Sequence, residues 1–474
     1  MADIIVRIPE KHKHLAEAFN GILDEVVRNV GTAEKGKMPY YDEIERVIGK
    51  RVSEIECACH ESILAALDID APSVEIGGIL HRRVGRSISS YHTLSGDVQI
   101  ERTLYRPAGE RNAKTVDPVS LRAGVVGDGW LPATARAMAF LLQSTTSRDA
   151  EKGAAELGRA EYSRSSYERV GHLVGELYVD ENDQIEDTLI REVRVPDEAH
   201  SIAVSIDRVS VPIEEPRKRP PGRPPKNAPK NPVSRNYRMA YAACISICDI
   251  QGRALHTIRY GRMPTGDPIE LCEAMAGDIM MLLRDKPHLH VVALADGAKE
   301  NWNLFDMVLT EELLGKKMYR FVDLFHLLEK LGNAAKVVFG EERKKSETER
   351  WRLLLLNNEQ AVSTILDELN ASGKEWTAFG DNTPVHEAIT YLDNNGDKMN
   401  YVTARRLGLP VGSGIVEATC KSLFELRFKR CGSRWKNETG EHIVQLRALA
   451  LSDRWSRALE LTLRPLQTPV RKVA

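Results

Sequence analysis

The sequence predicts an α/β protein in which a mixed β-sheet, covered by helices on both faces, follows a mainly helical N-terminal region. Apolar runs of strand length alternate with helical segments between residues 201 and 322. Helical periodicity dominates the chain before residue 200, apart from one hairpin, and again between residues 341 and 405. The length of 474 residues exceeds what one small core organises, so two or three domains are expected.

Composition narrows the class of protein. The chain carries 66 Lys and Arg against 68 Asp and Glu, so any contact with nucleic acid must come from local basic patches. Its seven cysteines include no CxxC pair, which favours a reducing cytosol. The tight cluster from Cys57 to His60 favours buried thiols over a zinc site. No apolar run reaches membrane-spanning length, so we expect a cytoplasmic protein that joins the nucleoid when it binds DNA.

The N-terminal third is predicted to be helical with one β-hairpin. Residues 1–80 carry two amphipathic helices, and residues 81–185 begin with a hairpin that turns at Gly96. Three short helices follow, with Ser147 and Ser163 as expected N-caps. They suit a helix-turn-helix that binds double-stranded DNA, and they equally suit a plain helical bundle. The expected segments are Pro9 to Val30, Tyr40 to Leu67, Ser87 to Arg106, Pro132 to Gln143, Ser147 to Leu157 and Ser165 to Leu177.

A strand from Ser201 to Val211 opens the sheet region, residues 200–340, and Asp207 lies in its middle. Breaking a buried ion pair leaves an uncompensated charge at a cost of roughly 3–5 kcal/mol, which argues against a purely structural Asp207. The Pro- and Arg-rich stretch after this strand cannot join a sheet interior. It resembles an AT-hook, which lays Arg in the minor groove, and its composition fits a solvated linker equally well. The expected DNA contacts here are Arg208, Arg217, Arg219 and Arg223.

Two further acidic positions follow predicted strands. Asp296 comes directly after a buried strand, where a simple Asp-Gly turn is the alternative interpretation. Asp323 and His326 follow the next strand, where a helix cap is the alternative role for the histidine. A helical insertion, residues 341–405, then precedes the last block, residues 406–474. The expected elements are a hairpin of Met239 to Ile250 and Ala254 to Tyr260, a helix from Asp267 to Arg284, strands His290 to Leu294 and Met318 to Val322, and helices Asn301 to Leu314 and Asp323 to Val338.

The stretch from Gly408 to Trp435 supplies a third acidic group. Glu417 is expected in the first turn of a helix capped by Ser413, with Lys421, Phe424 and Phe428 along one stripe. The helix dipole alone favours an acidic residue at this position, and a cationic helix face is usually solvated. Trp435 is expected either to stack on a base or to close the core. The expected phosphate contacts are Lys421, Arg427, Lys429, Arg430 and Arg434.

Together the three acidic positions predict a metal centre. In a ribonuclease-H-like sheet the strands that carry Asp207 and Asp296 are adjacent, and Glu417 would arrive from a later helix. Phosphodiester chemistry needs an activated oxygen nucleophile and a stabilised leaving oxygen, and two Mg²⁺ ions about 3.5–4 Å apart provide both. Mg²⁺ and Mn²⁺ prefer carboxylate oxygens, so we expect these three residues to be both catalytic and metal-binding.

The ordered blocks between Ile202 and Trp455 resemble the bacterial insertion-sequence DDE transposases of the ISKra type, which are distantly Mutator-like. The matching motifs are Ser205-Ile206-Asp207, Ala295-Asp296-Gly297-Ala298, Asp323-Leu324-Phe325-His326, Gly412-Ser413-Gly414-Ile415-Val416-Glu417 and Arg427-Phe428-Lys429-Arg430-Cys431-Gly432-Ser433-Arg434-Trp435. The resemblance implies a metal-binding triad of Asp207, Asp296 and Glu417, with Asp323 and His326 near the site. Two departures stand out: Arg208 replaces the usual Gly, and Cys431-Gly432-Ser433 replaces Ser-Gly-Met.

The resemblance implies a transposase that binds terminal inverted repeats, cuts their 3′ ends and joins them to target DNA. Because two ends must meet, it also implies a homodimer or a larger oligomer. Two alternatives stay open at this point: a domesticated regulator that binds DNA without cutting it, and a structure-specific RNase H-like nuclease. In all three, residues 200–340 and 406–474 would supply the catalytic core.

Overall fold

A computed structural model describes residues 8–36, 40–217, 222–223, 227, 233–380 and 382–473. The chain forms two compact units, Met1–Ile185 with Ser456–Ala474 and Glu186–Trp455. The last residues thus belong to the first unit, although the sequence grouped residues 406–474 together. The reason is a strand pairing: Val470–Lys472 pairs with Ser73–Ile76 in the sheet of the first unit.

The first unit contains a small antiparallel sheet beside helices. Its strands are β1 (Ser73–Ile76), β2 (Ile79–Thr93), β3 (Gly96–Pro107) and β9 (Val470–Lys472), in the order β3-β2-β1-β9. The expected hairpin is confirmed, and it is longer than predicted. Two long helices precede it, and five follow it along the chain: α1 (Lys13–Glu34), α2 (Tyr41–Leu67), α3 (Pro118–Ala123), α4 (Pro132–Ser144), α5 (Ser147–Leu157), α6 (Arg164–Asp180) and α7 (Asn182–Arg191).

The caps of α5 and α6 show how local chemistry sets their boundaries. Ser163 accepts a hydrogen bond from the Ser166 amide, which confirms it as the N-cap of α6. The cap of α5 was predicted one residue too late, because Thr146 accepts from the Asp149 amide while Ser147 is already helical. The first turn of α6 is polar and mainly exposed, and Tyr167 marks the start of its buried face.

The second unit is built on a five-stranded mixed sheet, so the α/β class is confirmed. Its strands are β4 (Ser201–Pro216), β5 (Val233–Cys248), β6 (Ala254–Arg262), β7 (His290–Ala295) and β8 (Met318–Val322). Their order is β6-β5-β4-β7-β8. Strands β4, β5 and β6 pair antiparallel, whereas β4, β7 and β8 pair parallel. The strands carrying Asp207 and Asp296 are therefore neighbours, as the sequence predicted.

Helices pack around this sheet, and most begin where the sequence indicates. Asp267 caps α8 and Pro268 opens it, because the missing proline amide would have no helical partner there. The helix expected from Asn301 to Leu314 is instead two helices, because Thr310 caps a new one. These helices are α8 (Pro268–Asp285), α9 (Lys299–Val308), α10 (Glu311–Leu314) and α11 (Leu324–Phe339).

The stretch between residues 341 and 405 is helical, as predicted, and shares the core of the second unit. Trp351 is fully buried, and its indole nitrogen donates to Glu368 at 2.9 Å. The helices here and beyond are α12 (Glu341–Asn357), α13 (Ala361–Ala371), α14 (Pro384–Asn395), α15 (Tyr401–Leu407), α16 (Gly414–Thr419), α17 (Leu426–Phe428), α18 (Asn437–Leu451) and α19 (Trp455–Leu463). Among the described residues, no helix has the length and hydropathy that crossing a bilayer requires.

Candidate metal centre

Three carboxylates lie level with one another at one end of the parallel strands. Ser205 pairs with Leu294, so two residues further along β4 and β7 bring Asp207 level with Asp296. Ala295 pairs with Val322, so the next residue of each strand brings Asp296 level with Asp323. Neighbouring strands are about 4.8 Å apart, so strand pairing alone gathers three acidic residues at this edge.

Asp207 is half-buried, and the groups that donate hydrogen bonds to its carboxylate are uncharged. One carboxylate oxygen accepts from the amide of Arg208 at 2.7 Å, and the other accepts from the thiol of Cys420 at 3.6 Å. Burial raises the pKa of Asp207, and the nearby charge of Asp296 raises it further. Its environment therefore disfavours a bare negative charge and would favour a bound cation.

Asp296 begins the loop after β7, and one of its oxygens organises that loop. Oδ1 accepts from the Ala298 amide at 3.0 Å and from the Asn301 side-chain nitrogen at 3.2 Å. Gly297 has φ of 90°, and a Cβ there would meet the Tyr391 ring at 2.9 Å. The Asp-Gly turn is therefore real. It still leaves Oδ2 without a hydrogen-bond partner among the described residues, so the turn and metal binding are compatible.

Glu417 lies in the first turn of α16 with its side chain about half exposed, and His326 faces it from α11. The Nδ1 atom of His326 lies 3.6 Å from the Glu417 carboxylate and 3.9 Å from that of Asp323. This nitrogen is buried and makes no hydrogen bond to any described residue. The histidine is therefore aimed at the acidic cluster and does not cap its helix.

Asp323 is fully buried, and both of its oxygens are occupied by protein donors. Oδ1 accepts from the amides of Phe325 and His326, at 2.6 and 3.0 Å, which caps α11. Oδ2 accepts from the amide and the hydroxyl of Ser413. The predicted cap at Ser413 is therefore wrong: its hydroxyl donates to Asp323 and does not cap α16. Asp323 thus joins the helix of His326 to the loop that precedes Glu417.

The predicted ligands and the tightest ligand cluster overlap only in part. Among the described residues, Asp323, His326 and Glu417 are the one group whose ligand atoms all lie within 4.8 Å of one another. Asp207 is coupled electrostatically to both Asp296 and His326, which links the two sets into one site. Two ions about 3.5–4 Å apart need ligands around both of them. Asp207 and Asp296 therefore need not lie within 4.8 Å of the cluster formed by Asp323, His326 and Glu417.

Positive charge is scarce beside these carboxylates. Arg208, which directly follows Asp207, turns its guanidinium to Glu300 at 3.5 Å. Within the described ranges, no Lys or Arg nitrogen comes within 4.0 Å of the Asp207 or Asp296 side-chain oxygens. The carboxylates offer hard oxygen ligands whose charge no described side-chain cation neutralises, so the cluster is a candidate site for a divalent cation.

The cationic helix differs from its prediction because a π-helical segment, Cys420–Glu425, follows α16. Lys421 is exposed, whereas Phe424 and Phe428 are fully buried, so the three residues do not share one stripe. Arg427 is buried, with its guanidinium 4.6 Å from the Trp435 ring centre, which is not the open phosphate contact that was expected.

The other residues predicted to contact DNA differ in their exposure and in whether an acidic residue already pairs with them. Lys429 pairs with Glu425 at 2.8 Å and Arg434 pairs with Glu214 at 3.0 Å, whereas Arg430 is half-buried. Arg217 and Arg223 are exposed, and Arg219 lies outside the described residues. The Trp435 indole packs on Phe428 with ring centres 4.4 Å apart, which matches the core role and not base stacking.

Three neighbours of the site were missed from the sequence. Asn301 and Tyr391 secure the Asp296 loop, the latter by donating to the Asp296 carbonyl at 2.6 Å. Cys420 contacts Asp207, and its position three residues after Glu417 on the same helix was the available signal. No such signal existed for Tyr391, which belongs to the helical insertion. Neither protein-family models nor curated proteins show a match to this chain.

Proposed function

We propose that this chain is a DDE transposase, a metal-dependent enzyme of DNA phosphoryl transfer. The observation that carries the proposal is the level placement of Asp207 and Asp296 at the ends of adjacent parallel strands, with no described Lys or Arg side-chain nitrogen within 4.0 Å of their carboxylates. Glu417 and His326 approach the same cluster from α16 and α11. Acidic groups gathered without a neutralising cation are the environment that divalent ions fill.

The topology of the second unit supports this proposal. The sheet has three antiparallel strands and two further parallel ones in the order β6-β5-β4-β7-β8, and this mixed order is compatible with the proposed ribonuclease-H-like fold. The helical stretch between residues 341 and 405 precedes the Glu417 helix, as an insertion before the last catalytic element would. The exposed polar start of α6 is the natural DNA-reading surface of the first unit, if α4 to α6 act as a helix-turn-helix.

Each residue has a distinct task in this proposal. Asp207, Asp296 and Glu417 would hold the ions, and Mg²⁺ or Mn²⁺, when bound, activates the attacking oxygen and stabilises the leaving one. Asp323 holds the start of the Glu417 helix against α11, so it is a positioning residue. The buried Nδ1 of His326 lies 3.6 Å from the Glu417 carboxylate without a hydrogen bond to any described residue, so His326 would stand beside the ions. DNA ends would be paired by a homodimer or a larger oligomer.

The experiment uses the DNA that flanks the gene, labelled at its ends, as a duplex substrate. With Mg²⁺ we expect nicking at the 3′ ends of the repeats, and joining of pre-cut 3′-hydroxyls to a target plasmid. Asp296→Asn should lower both reactions by about a hundredfold or more, because it removes a metal ligand. Glu425→Gln is the matched control, since Glu425 lies on the same helical stretch as Glu417 and pairs only at the surface with Lys429.

Three outcomes separate the candidate functions. Nicking and joining that both depend on Asp296 support a transposase. Cleavage of branched DNA without any joining of pre-cut ends would instead identify a structure-specific nuclease. Binding of the flanking DNA, with nicking no faster in the wild type than in Asp296→Asn, would leave a non-cleaving regulator.

A further inference from the structure

The two longest strands of the second unit continue past their neighbours as a two-stranded ribbon. Pairing between β4 and β7 ends at Ser205, and pairing between β5 and β6 reaches only to Tyr241. Beyond these points β4 and β5 pair with each other through residues 206–216 and 233–240, and β4 also forms an isolated bridge between Ile213 and Trp435. The ribbon begins at the level of Asp207 and leads away from the candidate metal centre.

One face of this ribbon is covered and the other is open. The covered face carries every second residue of β4, namely Val209, Val211 and Ile213. These side chains are buried on the side of α16 and the π-helical segment, where Cys420 contacts Asp207. On the opposite face, Arg208 pairs with Tyr241 across the strands. The row of β5 on this face, which we call the ribbon row, consists of Arg235, Tyr237, Met239 and Tyr241, of which the first three are exposed and Tyr241 packs partly against the core.

The ribbon row exposes an aromatic ring and a thioether next to a cation. The side chains of Tyr237 and Met239 are 57% and 44% exposed, which is high for two large apolar groups in a strand. The Arg235 guanidinium lies 5.2 Å from the Tyr237 ring centre and donates to its hydroxyl at 2.9 Å, so the ring is held in place. Arg208 lies at the site end of the same face, where its guanidinium pairs with Glu300.

These groups match the chemistry of single-stranded nucleic acid. Unpaired bases stack on an exposed ring, and the exposed Arg235 beside that ring can neutralise a phosphate. A duplex offers the same phosphates but hides the faces of its bases, so it gains little from Tyr237. A second copy of the chain is a poor fit, because a stable interface buries about 800 Å² per partner and this row offers only four side chains.

We propose that the ribbon row binds single-stranded DNA, as the strand that enters or leaves the candidate metal centre. That the bound strand leads to the candidate metal centre rests on the proposed function, since only an enzyme that cuts DNA has a strand entering or leaving that centre. The binding itself does not, because it needs neither metal nor cleavage. Tyr237 is the central contact, Arg235 holds the ring and contacts phosphate, and Arg208 joins the row to the site.

The test measures binding in EDTA by fluorescence anisotropy, using a labelled 20-nucleotide single strand and the duplex of the same sequence with the full-length protein. Tyr237→Ala should weaken single-strand binding about fivefold or more and change duplex binding less than twofold. Tyr237→Phe should keep single-strand binding within about twofold, because the ring remains. Met307→Ala is the matched control, being an equally exposed apolar side chain, at 62%, on α9.

A second variant protects the test against misfolding. Arg235→Gln leaves the ring in place and should flatten the salt dependence of single-strand binding by about one phosphate contact. Equal losses for single strand and duplex, or no loss with either variant, would overturn the proposal. So would a dimer that becomes a monomer in Tyr237→Ala while single-strand binding is unchanged. Because cleavage is absent from these assays, an inactive enzyme would not mimic any of these results.

Discussion

Two aspartates of the second unit, the buried Asp278 and the half-buried Asp207, lie among groups of opposite charge character. Asp278, on α8, accepts a hydrogen bond from the Tyr260 hydroxyl and lies 4.0 Å from Arg454, which also pairs with Glu186 at 2.6 Å. Asp207 instead faces the carboxylate of Asp296 and the thiol of Cys420. The protein neutralises the first with its own groups, whereas it leaves the second to be neutralised from outside.

The comparison teaches that burial of an acidic residue does not by itself indicate a metal site. Burial raises the pKa of both carboxyls. What separates them is the partner: a phenol and a guanidinium for Asp278, and further acidic groups for Asp207. The structural aspartate should therefore stabilise the fold through its partners, and the site aspartate should destabilise the metal-free fold.

The largest effect on stability is expected from Arg454→Met. This change removes the cation beside the buried Asp278 carboxylate, which costs about 3–5 kcal/mol of unfolding free energy. Urea denaturation at pH 7 measures the loss, and Arg352→Met, which breaks an exposed pair with Glu349, is the control. A loss no larger than that of the control would contradict the role given to Arg454.

Ser413→Ala should have the next largest effect. It removes the 2.5 Å hydrogen bond from the Ser413 hydroxyl to the buried Asp323 carboxylate, worth about 1.5–3 kcal/mol because the acceptor is charged. It should also slow cleavage with Mg²⁺, since the loop before Glu417 loses its attachment. Ser413→Thr, which retains the donor, is expected to recover most of both. Full stability in Ser413→Ala would show that Asp323 does not hold this loop.

The pH dependence of stability should report on Asp278. Its pKa is raised to about 7 in the fold, so the folded state binds the proton more tightly than the unfolded chain does. The free energy of unfolding therefore falls as pH rises from about 4 to about 7, and the loss is complete above that range. Relative to Asp278→Asn, the wild type should lose on the order of 2 kcal/mol between pH 5 and pH 7. Parallel pH profiles of the two proteins would exclude this assignment.

The smallest effect, and one of opposite sign, is expected from Asp207→Asn. In EDTA this change should raise the free energy of unfolding by about 1 kcal/mol, because it removes a half-buried charge that faces Asp296. Thermal melting of the two proteins in EDTA measures the difference. With Mg²⁺ the order should reverse, since the wild type gains the binding energy of the ion. A variant less stable than the wild type in EDTA would argue that Asp207 is structural.

Much of the second unit was predictable because its signals are local. The apolar runs from Ser201 and His290 gave the adjacent strands, and the Asp267-Pro268 pair gave a helix start. The bond from Ser413 to Asp323 spans 90 residues, so no local pattern announces it. The π-helical segment likewise has no local signal, and it buries Phe424, which the predicted helical stripe placed beside the exposed Lys421. The pairing of β9 with β1 joins two segments that are far apart in the chain, and it has only three residues of signal.

The acidic residues of the site show the same limit. The proximity of Asp207 and Asp296 could be predicted from strand order alone. The hydrogen bonds that occupy both carboxylate oxygens of Asp323 could not be predicted from the sequence. The motif that contains Asp323 and His326 predicts that both residues lie near the site. It does not predict that Asp323 holds the loop before Glu417 or that His326 faces Glu417. That distinction comes from hydrogen bonds between segments that are far apart in the chain.

The central claim is that the cluster of Asp207, Asp296 and Glu417 binds divalent ions. Titration of the protein with Mn²⁺, followed by the paramagnetic resonance of the free ion, tests it without DNA or turnover. We predict two bound ions in the wild type, and at least about a tenfold loss of affinity in both Asp207→Asn and Asp296→Asn. Unchanged Mn²⁺ binding in both variants, or none in the wild type, would contradict the account.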